Sequence, residues 1–224
     1  MSVLFNANVR SAYQAGYFTG SHRVADVLAH GDTGLGALAG NDGELVIDRG
    51  VAYRTAEDGT TAELDGVVGT PYATVIPFRV EQTFGIDDPL DRAAFERRLA
   101  GLLPLANRIW ALRIHGQFSR VTAGASARQH PPYRPLAEIM PTYNNLTHTD
   151  TTGTLVAFHC PVFLTGTDFV GAHYHWLSDD HGQGGHVADF RLLRASIEVC
   201  EATGYAVDVP RTDEFRALDL TPYY

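Results

Sequence analysis

The sequence predicts a mixed α/β fold, and three stretches carry that expectation. Residues 88–104 read as an amphipathic helix, residues 41–54 as a β-hairpin, and residues 171–189 as a second hairpin rich in histidine. In the helix, Phe95, Leu99 and Leu102 or Leu103 form a buried stripe, Asp88 is placed to cap and Pro89 takes the first turn. The first hairpin turns at Asp48-Arg49-Gly50 between two apolar runs. The second turns at Ser178-Asp179-Asp180 and the glycines that follow.

The remaining elements follow in order. Residues 10–29 suggest a short helix or turn and then a helix capped by Ser21, with Val24, Val27 and Leu28 on one face. Residues 30–38 form a glycine-rich loop without the G-x-G-x-x-G order of a dinucleotide site, suited to a close crossing of backbones. Residues 70–78 are a strand bounded by prolines, and residues 110–121 another, with His115 as scaffold. Residues 122–137, rich in proline, read as an extended surface loop. Residues 152–166 give a strand and a turn. From Phe190 to Val207 the pattern reads as a final amphipathic helix, with Leu192, Leu193, Ile197 and Val199 facing the core, and then a strand.

At 224 residues the chain is one large domain or two small ones, and any division is expected within packed sequence, with subdomains 1–120 and 121–224. A net charge of −9 argues against a nucleic-acid partner. No apolar run reaches the roughly 18–20 residues of a membrane span. The first ten residues lack a signal-peptide pattern, so a cytoplasmic location is expected. Cys160 and Cys200, outside any CxxC context, then read as two free thiols. All 17 basic residues are arginine. Without lysine there is neither Schiff-base chemistry nor a Walker A loop, so carbonyl chemistry here needs a metal or another bound group as its electron sink.

The second hairpin offers a metal site. His173 and His175 share one face of a strand, their Cα atoms roughly 6–7 Å apart. His186 returns on the next strand as a third ligand. Three imidazoles with open positions left over are the donor set of a catalytic zinc site. Strand histidines that merely satisfy hydrogen bonds meet the same spacing. Glu44, at the start of a strand, reads by itself as a solvated turn carboxylate.

Taken together, the chain resembles the acetolactate decarboxylase family. The matching stretches begin with His30-Gly31-Asp32, Gly34-Leu35-Gly36, Asp42-Gly43-Glu44-Leu45 and Thr70-Pro71-Tyr72-Ala73. They continue through Asn107, Ala111-Leu112-Arg113-Ile114, Gly116-Gln117-Phe118, Gln129 and Pro132-Tyr133. Gly153-Thr154-Leu155-Val156-Ala157-Phe158 and the Gly-x-His-x-His, Ser-Asp-Asp, Gly-Gly-His-Val block complete the set. The resemblance implies a mixed N-terminal sheet with helices, a compact β-barrel-like C-terminal half carrying the three-histidine metal site, and a homodimer. It implies Zn2+, with iron or manganese left open, bound by His173, His175 and His186, and Glu44 as a catalytic acidic residue beside the metal, either binding the metal or relaying protons. It also implies a small keto-acid substrate, 2-acetolactate, decarboxylated to acetoin through a metal-stabilised enediolate.

Three departures accompany the resemblance. Gly124 stands where the family has an arginine, Ala37 where it has a threonine, and the family's C-terminal acidic residue finds no counterpart before Tyr224. Gly124 and Ala37 are therefore expected at the substrate-binding end. The arginine's charged hydrogen bond is worth roughly 1.5–3 kcal/mol, and Arg128, four residues on, is the candidate replacement. The alternative reading is a diverged zinc enzyme of a biosynthetic pathway. It would decarboxylate, cleave by retro-aldol reaction, isomerise or cyclise another β-keto or α-hydroxy-ketone substrate. A third keeps the zinc hairpin as scaffold for a small-ligand binding protein.

Overall fold

The computed structural model describes residues 2–224. β1 (Val3–Ala7), α1 (Arg10–Gln14), β2 (His22–Arg23), α2 (Val24–Leu28) and β3 (Thr33–Ala37) come first. The hairpin of β4 (Glu44–Asp48) and β5 (Val51–Thr55) follows, then β6 (Thr61–Glu63), β7 (Gly69–Thr70) and β8 (Tyr72–Ile76). β9 (Gln82–Ile86), β10 (Leu90–Asp91) and α3 (Arg92–Leu102) lead to β11 (Ile109–Ala125). After α4 (Leu136–Ile139) come β12 (Asn144–Cys160), β13 (Gly171–Ser178), β14 (Gly184–Ala202), β15 (Gly204–Asp208) and α5 (Asp213–Arg216). The fold is mixed α+β and mostly strand.

Two sheets carry the structure. The first runs β15-β1-β8-β3-β4-β5-β6; the second runs β10-β14-β11-β12-β13, with β9 also on β14. β13 pairs in addition with the first residues of β14, so the β11–β14 ladder comes back on itself. Residue 120 lies inside β11, and β15 returns from the end of the chain to the first sheet.

Period two explains how the sheets pack. Along β11, Trp110, Leu112 and Ile114 point into a core beneath Phe95 and Leu99 of α3, while Ile109 and Ala111 face the first sheet. In β4, Val46 faces the second sheet, while Leu45 and Ile47 pack beneath Val24 and Val27 of α2. With both faces covered, the strand is apolar without alternation.

Several elements differ from expectation. The stretch from Phe190 is the second half of a 19-residue strand, β14, and not a helix. A bulge at Leu193 explains the difference: Gln117 pairs with Arg194 but Phe118 with Leu192, so one residue is extra. The bulge breaks the alternation, so that Leu192 and Ile197, five apart, share one buried core. The glycine-rich segment is strand β3, not a loop. The close crossing is real, since a Cβ on Gly36 would lie 2.4 Å from the Tyr72 carbonyl oxygen. Residues 122–125, read as loop, extend β11. Ser21 bonds His22 and does not cap α2, which follows extended Arg23.

α3 starts later than expected because Leu90 and Asp91 pair with Leu192 and Arg191 of β14. Asp91 is the cap, its side chain accepting from the Ala94 N–H at 2.8 Å. Asp91→Ala is expected to lower stability by about 1 kcal/mol, whereas Asp88→Ala should leave the denaturation midpoint unchanged. Cys160 and Cys200 are both free and buried. Among the described residues no helix is long and apolar enough to cross a membrane.

Candidate metal centre and active site

β13 carries His173 and His175 on one face, and Tyr174 and Trp176 on the other, within the second sheet's core. The ladder sets His186 of β14 directly opposite His175. The three side chains each offer one nitrogen, all within 4.8 Å of one another. His173 Nε2 and His186 Nδ1 are 3.2 Å apart. Two nitrogens on a tetrahedral zinc, at roughly 2.0–2.1 Å each, would be about 3.3 Å apart. The spacing fits the ion.

Protonation also fits. His175 is 1% exposed, and its Nδ1 lies 2.9 Å from the Leu45 carbonyl oxygen. Only an N–H can serve that acceptor, so Nδ1 holds the proton and Nε2 keeps its lone pair for a ligand. Burial pushes His173 and His175 well below the usual imidazole range and His186 down to about 4. The neutral, metal-binding form is therefore built in.

β4 brings the acid. Gly43 has φ +93°, and a Cβ there would meet the Thr55 carbonyl oxygen at 2.3 Å, so the turn needs glycine. The next residue, Glu44, is 4% exposed, with Oε2 3.5 Å from His175 Nε2. This is no solvated turn carboxylate. Burial pushes it up to about 8, against a hydrogen bond with Tyr143 that pulls it down. Behind Tyr143, Tyr13 Oη donates to Asn41 Oδ1 at 2.5 Å, and Asn41 Nδ2 donates to Ser126 Oγ at 2.7 Å and Tyr143 Oη at 3.4 Å.

A cavity of about 430 Å³ opens beside these groups, lined by the three histidines, Glu44 and Tyr143 among others. Ala37 lines it too, opposite Glu44 in the β3–β4 ladder. The other two candidates stand apart. Gly124 pairs with His186 but does not line the cavity, and a Cβ on it would sit 2.2 Å from the Asn144 carbonyl oxygen. The neighbouring strand thus fills the space a side chain would need. Arg128 does not reach the cavity either. Its loop crosses residues 39–42, where the Asp42 carboxylate draws Nη1 to 3.9 Å and the side chain stays 63% exposed. His115 is exposed and bonded to Asp179, away from the metal ligands.

Tyr13, Asn41, Tyr143 and Arg92 were not singled out by the sequence. They come from four distant segments, and no local spacing marks them.

The family model for alpha-acetolactate decarboxylase matches residues 4–222. The chain belongs to the alpha-acetolactate decarboxylase family. The alpha-acetolactate decarboxylase of Raoultella terrigena is 31% identical over 221 residues, covering 99% of this chain and 85% of that protein. That of Methanosarcina mazei is 29% identical over 218 residues, covering 97% and 76%. The crystal structure of the Bacillus subtilis strain 168 enzyme superposes with a TM-score of 0.94 at 27% identity, covering 97% of this chain and 93% of that one. Family membership gives the paired histidine strands their context: this is the fold of a decarboxylase family, with a three-histidine group able to hold a metal ion.

Proposed function

We propose that the chain decarboxylates 2-acetolactate, or a closely related α-hydroxy-β-keto acid, to acetoin, with zinc held by His173, His175 and His186. The observation that carries this reading is the convergence of three neutral imidazoles beside a buried carboxyl on one cavity. Bound there, zinc supplies Lewis acidity toward the substrate's oxygens.

The chain's own groups account for the rest. The bond to the carboxylate carbon breaks, carbon dioxide leaves, and its electron pair stays on the remaining carbon. Glu44, buried in the cavity wall, passes a proton to that carbon and takes another from solvent, as a general acid. Tyr143 holds the carboxyl in place, and the Tyr13–Asn41 pair holds Tyr143. The aromatic walls, Tyr72 and Phe169 among them, limit water at the reacting centre.

Zinc-loaded protein given racemic 2-acetolactate is expected to release acetoin and carbon dioxide in equal amounts, to stop with a chelator and to recover with zinc. Ala37 in the cavity wall favours a second reading, in which the substrate end accepts another β-keto or α-hydroxy-ketone compound. Intact zinc content without acetoin release would select it.

A further inference from the structure

One cation remains in the cavity wall. Arg92, the first residue of α3, lines the cavity with His173, His186 and Tyr174, and it is the one arginine among the lining residues. Its position follows from the ladder: β10 pairs with β14 immediately before it, which seats the start of α3 against the strand that carries His186. Arg92 Nη1 donates to the carbonyl of Ala188, two residues past His186, at 2.9 Å, and Nε donates to Glu96 at 2.9 Å. The guanidinium carbon lies 5.2 Å from the Tyr174 ring centroid. These contacts fix the guanidinium plane. Nη2 has no hydrogen-bond acceptor among the described residues.

We propose that Arg92 is the residue that binds the substrate's carboxylate in this chain, from the α3 side of the cavity. This rests on the function proposed above. Decarboxylation needs an anionic carboxylate held in place, and a guanidinium stays charged at any working pH and offers directed N–H groups to it. A preoriented guanidinium with a free amino group meets that need where Arg128 and Gly124 do not.

The test is a binding comparison on zinc-loaded protein. The acid probe is 2-hydroxyisobutyrate, which lacks the ketone and cannot react; the neutral probe is its carboxamide. Calorimetry on the wild type is expected to show tighter binding of the acid. Arg92→Gln should cut the acid-to-amide ratio by about ten- to a hundredfold, the span of one charged hydrogen bond. Arg92→Lys should recover part of it, and Arg128→Gln should leave it alone. Should R92Q lose its fold, Arg92→Met keeps the stem on Tyr174 and carries the same comparison. An acid-to-amide ratio within twofold of wild type in a folded, zinc-loaded Arg92 variant overturns the proposal, as does a wild type with no acid preference. Acetoin release is measured separately on the wild type, so failure of the reaction and failure of this assignment are distinguished.

Discussion

His175→Ala is expected to empty the metal site: about one zinc per chain in the wild type by elemental analysis, and less than a tenth of that in the variant. His175 is the most constrained of the three donors, because the Leu45 carbonyl fixes its tautomer and its ring is fully packed. Disturbing partners outside the ligand shell typically costs about 10–100-fold in affinity, so loss of a ligand should cost at least about a hundredfold. His173→Ala should behave alike. Chelation should lower the wild type's melting temperature. At free zinc 100 times the dissociation constant, binding adds about 2.7 kcal/mol, or roughly 5–10 °C for a chain of this size. The metal-free protein should also weaken as pH falls from about 6.5 toward 4, where an unfolded chain protonates its histidines and the folded one resists. Full zinc occupancy in His175→Ala would count against the ligand assignment.

Glu44→Gln should have the other large effect, lowering kcat by about 10²–10⁴ if the carboxyl is the proton donor. Stability should move the opposite way. The buried carboxyl titrates near 8 in the folded chain, above its ordinary value of 4.5. The folded state therefore holds a proton that the unfolded state has released, and stability falls as pH rises from about 4.5 to 8. The accumulated penalty is on the order of 3–5 kcal/mol above pH 8. Metal-free Glu44→Gln, with no proton to lose, should resist denaturant better than metal-free wild type at pH 9 and match it near pH 4.5. Equal wild-type and variant midpoints at both pH values would contradict the buried, proton-holding state.

What could be read in advance divides along physical lines. The His173–His186 hairpin was legible because side-chain alternation and a glycine turn are local properties, and they place the imidazoles together without further information. The β4–β5 hairpin was legible for the same reason. β14 is not legible locally, because its bulge lies in pairing with β11, more than 70 residues away in sequence. Glu44's burial was hidden likewise: it depends on β13 and Tyr143 packing over a turn that would be wet in isolation. Arg128 is close to Gly124 only along the chain, whereas Arg92 enters through helix placement on a strand, which no linear spacing encodes.

The parallel pairing of β1 with β15 ties Val3 to Gly204 and Ala7 to Asp208. During synthesis β1 leaves the ribosome some 200 residues before its outer neighbour. The nascent protein must therefore carry one unfinished hydrogen-bonding edge of that sheet until β15 has been made.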